Sequence, residues 1–307
     1  MRFLLALIGR LPEGIAYGLA RLLYMLLFHV FRYRRAVVQD NLTHAFPDAS
    51  PAALREMERN AYRHLCNLAV EVLRAPYLPR AFFEQRVTLR NPELLKDATD
   101  NYERQAIILL IHQGNWEWLL HGAMAQLPIS VDPVYKSLHS EFWNDYMLHA
   151  RSRFGATPMT IETIGREVIR GRRKKRIIVM LADQAGPKHG GYWTRFLHRP
   201  AVFFRGADKL AQALELPVLF ARCHTPSRGH YEVEFQPLSL PPHEQSDAIL
   251  PAYVAAAEAA IRDDPARYLW TNRRWKKVPP EGVVVANGDH HPDIDDPIQV
   301  NQPSSRL

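Results

Sequence analysis

Three short apolar runs set the terms on which this 307-residue chain can fold. They are AIILLIH (106–112), RIIVMLA (176–182) and PVLFARCH (217–224). Runs of that length, rich in Ile, Val and Leu, suit strands buried on both faces. VDPVY (131–135) and the alternating HYEVEFQ (230–236) add two more strands. Between them the spacing turns helical. Ser50-Pro51 is an N-cap followed by proline at the first helical position, and Leu54, Met57, Ala61, Leu65, Leu68 and Val72 carry that helix up to Pro76. Further helices are expected over 116–127, 141–154, 162–174, 205–215 and 247–263. Strands alternating with helices predict an α/β fold, a mostly parallel sheet flanked by helices. In such a sheet ligands bind beyond the carboxyl ends of the strands.

Composition removes several classes. Hydrophobic residues at 47% and charged residues at 23% exclude a disordered chain, a collagen-like fibre and a polytopic membrane protein. The net charge of +7 suits an anionic partner: an acidic membrane face, an acidic carrier protein or a phosphorylated substrate. Nucleic acid is not expected, since no helix-turn-helix, finger or RNP pattern accompanies the charge. Cys66 and Cys223 are the only cysteines, too few for a disulfide scaffold, which favours a reducing compartment.

Gly14–Phe31 is a candidate membrane anchor. It holds one charge, Arg21, and one histidine, His29, in 18 residues, the lower limit for a span. Arg32, Arg34 and Arg35 follow it, which would keep the remainder on the cytoplasmic side. The segment reads as an anchor, spanning or interfacial, with a buried amphipathic helix as the alternative. The expected division is an anchor over 1–35, a main domain over 36–278 and a polar, disordered tail over 279–307.

The chemistry centres on HQGNWE. His112 ends an apolar strand, and Glu117 lies in the first turn of the next helix. That placement could fold the carboxylate onto one imidazole nitrogen, leaving the other to take a proton from a hydroxyl. Spacing alone is weak, because His290/Asp295 and His291/Asp296 show it too. Asp183-Gln184 follows another buried strand, which puts Asp183 on the same sheet edge as His112, as a ligand-facing group or a turn cap. Arg151 and Arg153 end a helical segment, where cations are also favoured structurally. Two basic clusters, Arg170–Arg176 and Arg273–Lys277, could meet phosphates, anionic lipid or an acidic carrier, or form solvated faces. There is no GxGxxG, Walker A, GxSxG or HExxH motif. Asp289, His290, His291, Asp293, Asp295 and Asp296 are ligand types, read here as a solvated tail and no metal site.

Taken in order, these segments resemble the late acyltransferases of lipid A biosynthesis, the lauroyl/myristoyl acyltransferases of the lysophospholipid acyltransferase-like superfamily. The likeness covers about residues 1–277. It runs through RRAVVQDNLTHAFPD, HQGNWEW, PVYKSLHS, HARSRFGATPM, VMLADQ, RPAVFFRGADKLA and YLWTNRRWK. The resemblance implies a bacterial inner-membrane enzyme, its catalytic domain on the cytoplasmic face. It would move an acyl chain from acyl carrier protein to a hydroxyl of a glycolipid acceptor, with no cofactor. It implies His112 as general base, Glu117 orienting it, and Arg151 and Asp183 assisting binding or transition-state charge. It further implies substrate contacts from Asn115, Lys136, Arg153 and Gln184, and from Arg205, Arg273 and Arg274. Lys136-Ser137, Phe203 and Trp270-Thr271-Asn272 depart from the family pattern, and the superfamily also serves ornithine-type, aryl polyene and mannosylated phosphoinositide lipids.

Overall fold

The structure is a computed structural model that describes residues 2–243 and 249–286. Among the described residues nine strands form in chain order: β1 (Val87–Leu89), β2 (Ala106–Leu110), β3 (Ser130–Tyr135), β4 (Met159–Thr160), β5 (Arg176–Leu181), β6 (Tyr192–Phe196), β7 (Arg199–Phe203), β8 (Val218–Ser227) and β9 (His230–Ser239). Seven of them make one sheet in the order β1-β9-β8-β2-β5-β3-β4. Every pairing in it is parallel except β8–β9, an antiparallel hairpin. The expected α/β architecture is therefore present, with β2 and β5 near its centre. Both are buried almost throughout, as their unbroken apolar runs require.

The helices are α1 (Arg2–Gly9), α2 (Glu13–Tyr24), α3 (Arg35–Ala45), α4 (Pro51–Arg74), α5 (Arg80–Arg86), α6 (Pro92–Ala98), α7 (Trp116–Gln126), α8 (Glu141–Arg151), α9 (Ile164–Arg170), α10 (Gly206–Leu214) and α11 (Ile249–Asp263). The Ser50 hydroxyl accepts from Ala53 N–H and Pro51 occupies the first turn of α4, as the sequence indicated. Helix α4 places Glu71 and His64 on its buried face, where they meet the loop after β2.

The N-terminus differs from a single anchoring helix. Pro12 follows a break after α1, and the two helical pieces, Phe3–Gly9 and Glu13–Val30, bend by 114°. No single helix among the described residues is long and apolar enough to cross a membrane. Ala16, Tyr17, Ala20 and Tyr24 of α2, and Phe28 in the π-helical turn after it, pack into the core. The opposite face leaves Phe3, Leu4, Ile15, Leu22, Val30 and Phe31 exposed.

At the other end, β6 and β7 form a separate hairpin. Ala286 N–H donates to Trp193 O (3.0 Å), Ala286 O accepts from Arg195 N–H (2.9 Å), and Val285 packs with Trp193 and Val202. The first residues of the expected tail are thus ordered against the hairpin. Its acidic and histidine-rich stretch, Asp289–Asp296, lies outside the described residues.

The basic run Arg170–Lys175 precedes β5 and so lies at the amino edge of the sheet, roughly 20 Å of strand rise from the carboxyl edge. It cannot share one ligand head group with His112. Arg176 itself is buried and pairs with Asp132 at 3.6 Å.

His121 of α7 is a local anomaly. It is fully buried between Phe83 (4.7 Å between ring centroids) and Phe154 (5.6 Å), and neither ring nitrogen has a hydrogen-bond partner. Burial pushes its pKa down to about 4, so the folded protein holds it neutral. The unfolded chain takes up that proton first, near pH ~6.5. The stability tied to the neutral ring is therefore complete above that pH and is lost as pH falls through about 4. His121→Leu is expected to raise stability by about 1–3 kcal/mol at neutral pH and to flatten the loss between these two pH values. Thermal unfolding measured from pH 7 to pH 4 checks both.

Candidate active site

Parallel register builds the site. β2 and β5 pair Leu110 with Leu181, so His112 and Asp183, each two residues further, emerge side by side at the carboxyl edge. The His112 Nδ1–H donates to Asp183 Oδ1 at 2.6 Å, and the His112 main-chain N–H donates to Oδ2 at 3.2 Å. One carboxylate thus fixes the ring and the backbone of the same residue. Nε2 is left facing Gln184, whose Nε2 donates to it at 3.2 Å. Trp116 packs edge-on to the ring at 4.8 Å. Burial pushes the Asp183 pKa up, but the charge of His112 and the two hydrogen bonds from it outweigh that, with help from Arg274. The net effect holds Asp183 below the usual carboxylate range.

The carboxylate bound to His112 is therefore that of Asp183, where the spacing had pointed to Glu117. Glu117 turns away. Its carboxylate accepts from Arg151 Nε (3.0 Å) and Nη2 (2.5 Å), a two-pronged pair joining α7 to the end of α8. Burial raises the Glu117 pKa, and the Arg151 charge and hydrogen bonds more than reverse this. Burial likewise lowers the Arg151 pKa, and Glu117 raises it overall. Both remain charged, and Arg151 is committed to Glu117.

The loop between His112 and α7 is held at every residue. His112 O accepts from Leu269 N–H (3.0 Å), and Gln113 Nε2 donates to Ala260 O (2.8 Å) and Asp264 O (3.0 Å). Gly114 N–H donates to Arg267 O (3.1 Å), and Gly114 O accepts from His64 Nε2 (3.1 Å). Gly114 has φ +63°, and a Cβ there would meet Cys223 Sγ at 2.2 Å, so only glycine fits. Burial first, and the Arg267 charge second, push the His64 pKa down to about 3, keeping it a neutral donor.

The expected substrate contacts divide. Gln184 and Lys136 are exposed at the carboxyl edge, Gln184 beside His112 and Lys136 just past β3. Arg273 is also exposed. Arg205 precedes α10 and lies 3.8 Å from Asp208. Three others are used within the fold. Asn115 is 0% exposed and caps α7, accepting from Trp118 N–H at 3.0 Å. Arg153 Nη1 donates to Ala75 O and Leu78 O, both at 2.7 Å. Arg274 is 2% exposed, its guanidinium 4.3 Å from the Phe203 ring centroid and 5.5 Å from Phe196. Its charge helps to lower the Asp183 pKa, and its guanidinium nitrogens make no hydrogen bond. No group of three or more His, Cys, Asp or Glu side chains among the described residues is placed to hold a metal ion.

A strand-end histidine, oriented by a buried aspartate and presenting its other nitrogen outward, has the geometry that general-base chemistry needs. The model of the bacterial lipid A biosynthesis acyltransferase family matches residues 1–277, and the chain belongs to that family. It is accordingly an enzyme of acyl transfer in lipid A biosynthesis. No curated protein matches the chain closely enough to count as a relative.

Proposed function

We propose that the protein is a membrane-associated O-acyltransferase moving a fatty acyl chain from acyl carrier protein to a hydroxyl of a lipid A precursor. The observation that carries this reading is the His112–Asp183 pair, with Nε2 turned outward. The acceptor hydroxyl displaces the Gln184 amide and gives its proton to Nε2. Its oxygen attacks the thioester carbonyl, and the C–S bond breaks. The departing thiolate takes the proton back from the imidazolium, which Asp183 has stabilised meanwhile. Transfer is direct. The two thiols are poor nucleophiles, since burial pushes Cys66 up to about 11 and Cys223 up to about 12.

One feature supports the substrate class. The exposed apolar face of α1 and α2, followed by Arg32 and Arg34, suits the cytoplasmic surface of an anionic inner membrane.

Mass spectrometry of total lipids and of lipid A tests the reading in a deletion strain complemented with wild type or His112→Ala. Loss of one acyl chain from lipid A, restored by wild type alone, is expected. Unchanged lipid A with one altered lipid of another class, such as an ornithine-type or aryl polyene lipid, would keep the reaction and move the acceptor. Full restoration by His112→Ala would overturn the mechanism.

A further inference from the structure

Glu71 is a carboxylate with 0% exposure in the middle of the protein. Three side chains donate to it. Tyr17 of α2 donates to Oε1 (2.7 Å), and Asn115 Nδ2 (2.7 Å) and Tyr231 of β9 (2.6 Å) donate to Oε2. The Glu71 carbonyl also accepts from Trp118 Nε1 at 3.1 Å. Burial raises the carboxyl pKa, and the net shift stays upward despite those hydrogen bonds and the Arg267 charge. An acidic group at a fully buried position is costly, and an apolar residue there would pack without that cost. Stability alone does not account for it.

What Glu71 supplies is orientation. A primary amide can sit either way round at a helix cap, with its oxygen or its nitrogen towards the backbone. Both Glu71 oxygens accept, Oε1 from Tyr17 and Oε2 from Tyr231, and Oε2 also draws Asn115 Nδ2 towards itself, which leaves Asn115 Oδ1 for the Trp118 N–H. Asn115 adjoins Gly114, whose positive φ turns the loop back from His112. The loop is thereby gripped at one end by Asp183 on His112 and at the other by Glu71 on Asn115.

We propose that Glu71 is a positioning residue for acyl transfer: acting through Asn115, it sets the course of the 112–115 loop and so the place where His112 presents Nε2. This rests on His112 being the base. Through Tyr17 the same carboxylate ties the loop to α2, the helix whose other face is apolar and exposed.

A swap of donor and acceptor tests it. The full-length chain in detergent micelles would be assayed with an acyl carrier protein thioester and a lipid A precursor. Asn115→Asp keeps the cap but sets two carboxylates against each other. Its kcat is expected below about one tenth of wild type with KM within about threefold, since a displaced base loses rate more than binding. Glu71→Gln keeps one acceptor oxygen but loses the fixed orientation, and its kcat is expected about three- to tenfold below wild type with KM within about threefold. The double variant Glu71→Gln/Asn115→Asp restores a donor facing an acceptor, and its kcat is expected to be at least about tenfold above that of Asn115→Asp. A role confined to folding would move the amount of folded protein and leave kcat per folded molecule unchanged. The proposal is overturned if Asn115→Asp keeps more than one tenth of the wild-type kcat, or if the folded double variant is no faster than Asn115→Asp. Should Asn115→Asp not fold, the double variant decides: a kcat above about one tenth of wild type supports the proposal and one below overturns it. His112→Ala, run alongside, separates the two readings, because full turnover there would remove the functional assignment itself.

Discussion

Asp183→Asn is expected to lower kcat by about 10³-fold while KM stays within about threefold. The reason lies in the two hydrogen bonds that one carboxylate accepts from one residue. An asparagine at 183 has a single oxygen. If that oxygen faces Nδ1–H, the NH2 group confronts the His112 main-chain N–H, donor against donor, and the loop must shift. If the amide is reversed, its NH2 faces Nδ1 and favours the tautomer with the proton on Nε2. The base then points a proton, not a lone pair, at the hydroxyl. Either outcome also removes the negative charge that stabilises the imidazolium in the transition state. His112→Ala is expected to lose a similar factor, and the double variant little more than either single, because base and orienting group act as one unit. Steady-state rates with the carrier-bound thioester and the lipid A precursor measure this. A loss of less than tenfold in Asp183→Asn would return Glu117 to the role that its spacing suggested. The pH profile offers a second reading. Asp183 is held below the usual carboxylate range, so a loss of activity within that range is not expected to come from its own protonation.

The sheet and the edge that carries His112 and Asp183 were legible in the sequence because each rests on local patterns. Unbroken apolar runs mark β2 and β5, and the rule for parallel sheets then places His112 and Asp183 on one edge. Which carboxylate meets His112 was not legible. Glu117 is close in sequence, while Asp183 is close only because Leu110 pairs with Leu181, and register between distant strands has no local signature. The neighbours of the motif misled in a similar way. Asn115 and Arg153 are polar residues near His112 or Glu117 in sequence, yet they are taken up by a helix cap and by main-chain carbonyls, and Arg274 is buried against aromatic rings. Glu71 left one trace: it stands three residues after Leu68, on the apolar stripe of α4, where a carboxylate is out of place. Hydropathy gave the composition of the N-terminal segment but neither its bend nor its docked face. The hairpin β6–β7 escaped notice because its turn residues, Leu197 and His198, carry positive φ without the glycine or asparagine that usually announces one.

Arg151→Met is expected to destabilise the protein by about 3–5 kcal/mol, because it leaves the Glu117 carboxylate buried without its cation. For a chain of this size that is a fall in Tm of roughly 5–8 °C. The sign with pH follows from the depressed Glu117 pKa. The pair contributes its stability above the ordinary carboxylate pKa, near ~4.3, and loses it as pH falls through the lower, folded value. The penalty of Arg151→Met should therefore be largest at neutral pH and shrink in acid, where Glu117 can take up a proton. Glu117→Leu/Arg151→Met removes both charges together and is expected to recover most of the lost stability, since a buried pair replaced by apolar groups is often close to neutral. Unfolding curves of Arg151→Met, Glu117→Leu and the double variant between pH 7 and pH 3.5 measure the coupling. The same double variant also addresses the chemistry. If Glu117 and Arg151 only brace α7 against α8, its kcat should stay within about tenfold of wild type once folded. A kcat as low as that of Asp183→Asn, in a protein with restored stability, would instead make the charge of this pair part of the reaction.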